Sequence, residues 1–218
     1  MLVANNNILN QRMVLKDKPL MTILIFALVV RIVVFLFYPD QLFPDATAYR
    51  TIGKEIFAGE TITNNIYMPL YPMITYATGG GFFQILLDII ISVLSVWLIF
   101  ALSFQIFNVR LAALFSAAIA AIYPHFIFYS LSGLTETLFA FLILLALILL
   151  YRKDFFLGGC VLALSLLVRP TFDFLNPVLI ILFISFVHAL GIRSVVKYLG
   201  LFFISYVVIM SPWWLHQY

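Results

Sequence analysis

Charge is what this chain has least of. Its 218 residues carry 12 Lys and Arg and 9 Asp and Glu, 10% of the total, where an ordinary soluble domain is about a quarter charged. That scarcity, with 65% hydrophobic residues and a mean hydropathy of +1.14, excludes a soluble globular class. Cysteine is nearly absent as well. Cys160 stands alone in an apolar run, so no internal disulfide can form and the redox compartment is not readable. Nucleotide-binding loops are missing: neither Gly-x-x-x-x-Gly-Lys nor Gly-x-Gly-x-x-Gly occurs. No Ser/His/Asp order, Cys pair or His-Glu-x-x-His site can be drawn, so a nucleotide-dependent mechanism has no support. The net charge is +3, but the basic residues are scattered at helix ends, which excludes a nucleic-acid footprint.

Long apolar runs are what is present. Several approach or exceed the ~20 residues a helix needs to cross about 30 Å of hydrocarbon, and they do not alternate apolar with polar as barrel strands do. The expected fold is therefore an all-α polytopic membrane protein, a single membrane domain over residues 1–218. Seven spans are expected: Leu20–Tyr38, Phe82–Phe104, Leu111–Tyr129, Leu134–Leu150, Phe155–Val168, Thr171–Leu190 and Val195–Trp213. The first reads as a retained signal anchor, since it is longer than a cleavable h-region.

Lysine and arginine set the expected topology. With residues 1–19 cytoplasmic, the inside receives Arg12, Lys16, Lys18, Arg110, Arg152, Lys153, Arg193 and Lys197, and the outside Arg50, Lys54 and Arg169. That is a positive-inside bias. It places the loop at residues 39–81 outside, and the six-helix remainder at 82–218 after it. In this loop, Ala46 to Phe57 spaces Tyr49, Ile52, Ile56 and Phe57 as an interfacial helix would, with Gly59 ending it. The paired prolines and aromatics of Tyr67 to Pro72 predict an extended or turn-rich segment, and Gly79-Gly80-Gly81 a break before the second span.

In so apolar a chain each polar group needs a partner or a task. Asp45 suits an N-cap, a general base or a ligand for a hard divalent cation. Arg31 and Asp88 lie inside spans, where ionisable residues mark functional sites by default. Counted at ~1.5 Å per residue they sit at similar depths from the outer end, about 11 Å and about 9 Å, which suggests a pair or a shared cavity. Snorkelling would also explain Arg31. Glu136 opens the fourth span beside Ser132 and Thr135, residues suited to capping, and it could face Asp45 across a cleft. His125, Tyr123 and Tyr129 end the third span on the same side. Arg169 is a natural phosphate partner, and Trp213-Trp214 read as an aromatic belt. Alanines of the third span (Ala112, Ala113, Ala117, Ala120 and Ala121, with Ser116) and Gly159 and Ala163 of the fifth predict close helix packing.

The order of these elements resembles the GT-C superfamily of integral-membrane glycosyltransferases. The nearest branch holds protein O-mannosyltransferases and the lipid A aminoarabinose transferase. The resemblance rests on Arg31, on Asp45 and Tyr49 as Asp-x-x-x-Tyr, and on Pro69 to Pro72 as Pro-Leu-Tyr-Pro. It continues through Tyr123-Pro124, Thr135-Glu136, Arg169 to Thr171 and Pro212 to Trp214. It implies a seven-span module with interfacial helices in the first outer loop. It also implies a sugar donor carried on a polyprenyl phosphate, and an inverting transfer on the extracytoplasmic face of a plasma membrane or the endoplasmic reticulum. Asp45 would be the base, with Glu136 a second catalytic acid. Tyr49, Arg50, Arg169, His216, Arg31 and Asp88 would serve the substrate, and Mg, Mn or Zn is an optional cofactor, with Asp45 as ligand.

Such relatives often place Glu after the loop aspartate, where this chain has Ala46, and continue past the seventh span. An alternative is therefore a non-catalytic subunit or lipid-linked-sugar binding module completed by a partner chain. A small transporter or flippase is disfavoured, because no internal repeat is visible.

Overall fold

A computed structural model describes residues 17–38, 43–60, 67–170 and 175–217, the side chains of Asn176, His216 and Gln217 excepted. Among these residues the chain is all-helical, without a strand. Ten helices follow one another among the described residues: α1 (Lys18–Phe37), α2 (Pro44–Ala58), α3 (Leu70–Ala77), α4 (Gly81–Phe107), α5 (Arg110–Ile122), α6 (Pro124–Tyr129), α7 (Glu136–Tyr151), α8 (Phe155–Leu166), α9 (Leu175–Val187) and α10 (Ile192–Gln217). Three are long and apolar enough to cross a membrane: α1, α4 and residues Ile192–Leu215 of α10. Shorter apolar helices stand where the other four spans were expected.

Helices α1, α4 and α5 pack against one another, and from α4 the neighbours run α7, α8, α10, α9. Helices α1 and α4 are antiparallel. Phe35 meets Phe82 with ring centroids 5.9 Å apart, while at the other end Asp17 pairs with Arg110, just beyond α4, at 2.8 Å. The alanine stripe of α5 is buried: Ala117, Ala120 and Ala121 cluster with Ala27 of α1 and Val96 of α4. Small residues let these backbones approach where lipid supplies no hydrophobic drive between helices. Gly159 does the same between α8 and α10, since a Cβ there would lie 3.3 Å from Phe202 Cα.

Four local expectations are corrected. The third span is not continuous: Tyr123 is extended (φ −64°, ψ 119°) and divides α5 from α6. Pro124 has no amide hydrogen and drives the residue before it out of the helical region. Tyr67 to Pro72 is not wholly extended either. Helix α3 starts at Leu70 with Pro72 in its first turn, a position where a missing N–H costs no hydrogen bond. Asp45 is not the N-cap of α2. Pro44 takes the first helical position and Phe43 becomes the cap, so the carboxylate is left free to bond elsewhere. Thr135 precedes α7 without a side-chain cap bond, and Ser132 Oγ donates instead to Phe128 O at 2.6 Å. The glycines behave as expected: Gly59 ends α2 at φ 68°, and Gly79, Gly80 and Gly81 all have positive φ before α4.

Candidate functional site

Helices α2 and α3 form a hairpin-like lid on one end of the bundle, and Gly53 makes their contact possible. A Cβ at Gly53 would sit 2.2 Å from Pro72 O, so only glycine lets the two backbones touch. The lid is anchored twice. Leu70 N donates to Leu167 O at 3.0 Å, tying the start of α3 to the end of α8. Ile52 of α2 is buried with Leu166, Met210 and Trp213. Trp213 is thus a packing residue at 6% exposure rather than a belt anchor, while Trp214 remains exposed.

Under the lid three tyrosines stack edge to face. Tyr49 lies 5.1 Å from Tyr67 and 5.2 Å from Tyr71, centroid to centroid, at interplanar angles of 84° and 85°. Such T-shaped pairs place a positive ring edge on a negative face. Each outer tyrosine then donates to an acid. Tyr67 Oη bonds Asp45 Oδ1 at 3.0 Å at the exposed side, and Tyr71 Oη bonds Asp88 Oδ2 at 2.7 Å in the interior. Burial, with the neighbouring charges of Asp45 and Glu136, pushes the Tyr49 phenol up to about 12, while the Thr135 side chain acts the other way. The bond to Asp45 similarly raises Tyr67, so both phenols are neutral hydrogen-bonding groups at ordinary pH.

A polar pocket of about 270 Å³ opens beside this stack, lined by Asp45, Tyr49, Tyr67, Thr135, Glu136 and Arg169, among others. Glu136 and Arg169 form an ion pair in its wall. Arg169 follows the end of α8, where its backbone N–H donates to Ser165 O at 3.1 Å. Glu136 occupies the first turn of α7, where the helix dipole favours an anion. The same two side chains also border a second, largely apolar groove of about 400 Å³ between α4, α6 and α7. Its hydroxyls are Ser92, Ser95, Tyr129 and Thr137, and Thr137 Oγ1 is buried without a hydrogen-bond partner. The Glu136–Arg169 pair is therefore the shared wall between a polar chamber and an apolar slot.

Comparison with protein-family models, curated proteins and solved structures finds no match.

The pocket brings together four of the residues singled out from sequence, Asp45, Tyr49, Glu136 and Arg169. Arg50 is exposed, with its Cδ packed against Gly80, and does not line it. The side chain of His216 lies outside the described residues. Arg31 and Asp88 are both fully buried, which removes snorkelling as an account of Arg31. They do not pair with each other. Arg31 donates from Nε to Ser92 Oγ at 2.9 Å, and from Nη1 to Ala27 O and Ala121 O. Asp88 accepts from Tyr71 and, at 3.2 Å, from Gln84 Nε2. Ser92, one turn below Asp88, links the Arg31 cluster to the apolar groove.

Tyr67 is the functional candidate that sequence reasoning passed over. Its signal is visible afterwards: it is the only aromatic of the loop preceding Pro69 closely enough to be pinned by it. Among the described residues no group of three or more His, Cys, Asp or Glu side chains is gathered to hold a metal ion.

Proposed function

We propose that this chain is a glycosyltransferase of the GT-C type, moving a sugar from a polyprenyl-phosphate donor to an acceptor hydroxyl on the extracytoplasmic face of its membrane. In this reading all seven apolar segments cross the bilayer, with the N-terminus cytoplasmic, and the lid of α2 and α3 lies at the outer surface. The observation that carries the proposal is the shared wall. A lipid-linked phosphate needs a cation at the boundary between a wet chamber for the sugar and a dry slot for the chain, and Arg169 stands at such a boundary.

Asp45 would take the proton of the acceptor hydroxyl as that oxygen attacks the anomeric carbon of the sugar. The anomeric carbon–oxygen bond to phosphate breaks, and the polyprenyl phosphate leaves with the bonding electron pair. Arg169 binds the phosphate oxygens through its planar fork. Glu136 orients that guanidinium, so it is a positioning residue as long as it stays paired. Tyr67 holds the Asp45 carboxylate, and neutral Tyr49 offers the sugar a hydroxyl without competing for the proton. A divalent cation, used in several branches of the superfamily, would have Asp45 as its protein ligand.

The test is transfer from a radiolabelled polyprenyl-phosphate sugar in membranes containing wild-type chain or Asp45→Asn. Loss of transfer of a hundredfold or more in the variant is expected, the scale of a general base. Equal transfer in both removes Asp45 from that role. Retained donor binding with no transfer in either favours a binding module that needs a partner chain.

A further inference from the structure

At the opposite end of the bundle a wholly apolar groove of about 560 Å³ lies between α4, α7 and α9. Leu102 and Ile106 of α4, Leu147 and Tyr151 of α7, and Phe183 and Val187 of α9 line it. It is open sideways, because α9 touches its neighbours lightly and leaves Phe183 64% exposed and Val187 47% exposed. Its size is that of a ligand cavity, about 300–1,000 Å³, yet among its lining residues the phenol of Tyr151 is the sole polar group. The polar groups stand at its mouth.

Two cations and an imidazole gather there. Arg152 and Lys153 follow Tyr151 directly at the end of α7. With the Gln105 amide in the orientation that satisfies both of its ends, its oxygen accepts from Arg152 Nε at 2.8 Å, which ties the guanidinium to the end of α4. His188 lies with its ring 5.0 Å from that of Tyr151 and close enough to Lys153 to feel its charge. Its Nε2 is buried with no hydrogen-bond partner. No acid lines the groove.

We propose that this groove is a binding site for one anionic phospholipid of the adjacent leaflet. An acyl chain lies along Leu147 and Phe183, and the phosphate sits under Arg152 and Lys153. Charge complementarity decides the occupant. A transmembrane helix of a partner would fill the slot equally well, but it gives no reason for two cations and an unpartnered imidazole nitrogen at headgroup level. The site lies at the other end of the bundle from the Asp45 pocket, so it stands or falls independently of the transfer reaction.

The experiment uses the purified full chain in nanodiscs of phosphatidylglycerol or of phosphatidylcholine with the same acyl chains, followed by detergent release and native mass spectrometry. One phosphatidylglycerol retained per chain is expected, with phosphatidylcholine washed away. Arg152→Gln with Lys153→Gln should weaken retention about fivefold for each cation removed, at exposed positions where folding is not at stake. Leu147→Trp should abolish retention by filling the groove, whereas Leu147→Met, which conserves volume, should keep it. Equal retention of the two lipids overturns the proposal, as does undiminished phosphatidylglycerol binding in Leu147→Trp. A chain dimer that forms in either lipid and is lost in Leu147→Trp assigns the groove to a second copy and also overturns it.

Discussion

Gly53→Ala tests the claim that one missing Cβ sets the geometry of the candidate site. Two effects oppose each other. Alanine in a helix interior is favoured over glycine by about 0.5–1 kcal/mol, so an uncrowded α2 would gain stability. The new methyl would, however, lie 2.2 Å from Pro72 O, 2.6 Å from Tyr76 Cβ and 2.9 Å from Pro72 C. Two of these atoms belong to backbone and cannot rotate away. Restoring ordinary contact requires α2 and α3 to separate by roughly 1 Å, and overpacking of this kind costs about 1–3 kcal/mol. The steric term should win, for a net loss of about 1–2 kcal/mol confined to the lid. The larger consequence is positional. Asp45 and Tyr49 ride on α2, and displacement of a reacting group by ~1 Å can lower a rate about a hundredfold. Hydrogen exchange over residues 44–58 should accelerate while α4 and α7 stay protected, and transfer should fall far more than the melting temperature. A variant with raised stability and unchanged exchange would show that the two helices do not touch at Gly53, and would remove the basis for the lid.

Three further outcomes are expected. Tyr71→Phe leaves the buried Asp88 carboxylate with Gln84 as its remaining hydrogen-bond donor. It should lower stability by about 1.5–3 kcal/mol, the scale for a bond to a charged group, with Asp88→Asn in the same chain recovering part of it in thermal unfolding. Tyr49 has its folded pKa raised from the ordinary 10 to about 12. Its contribution to stability is therefore complete below pH 10 and disappears as pH climbs through about 12. Tyrosinate absorbance should show several phenols titrating above the ordinary range, one of which is lost in Tyr49→Phe, and a high-pH titration unchanged by that substitution would refute the burial. Breaking the shared wall gives the last: Arg169→Gln should lower affinity for polyprenyl phosphate at least tenfold, whereas Glu136→Gln, which frees the guanidinium, should not lower it. Equal losses in the two would mean the pair is only structural.

Much of the fold was legible because hydropathy reports length and burial directly. Apolar helices stand at each expected span, though the third is broken at Tyr123, and the amphipathic stretch at Tyr49 and Ile52 and the glycine stops fall where periodicity and turn chemistry put them. Capping was less legible because two rules competed for the same few residues. Asp45 satisfies the preference for an acid at the cap, but Pro44 satisfies the preference for proline at the first helical position, and proline's fixed φ prevailed. The shift by two residues has a functional sense, since an Asp bonded to its own backbone would not be offered to Tyr67. The assembly of Asp45 with Glu136 and Arg169 could be inferred only from their shared end of the bundle. That Glu136 meets Arg169 and not Asp45 depends on the approach of α7 to the end of α8, which no local pattern encodes.

The failed pairing of Arg31 with Asp88 has a general cause. Depth counting treated each residue as a point at its Cα, but a helical side chain leans toward the N-terminus of its own helix. Helices α1 and α4 are antiparallel, so residues at equal depth lean in opposite directions. Arg31 reaches back to Ala27 O, toward the basic end, and Asp88 reaches back toward Gln84 and the lid. Two acceptors from other helices, Ser92 Oγ and Ala121 O, then hold Nε and Nη1 within α1, α4 and α5, while Nη2 is buried without a hydrogen-bond partner. Arg31→Lys should therefore cost roughly 2 kcal/mol, because one ammonium cannot satisfy acceptors arranged for a planar fork. Asp88→Arg with Arg31→Asp should be no better than either single reversal in thermal unfolding or expression. Rescue by that double swap would restore the pair and contradict the geometry.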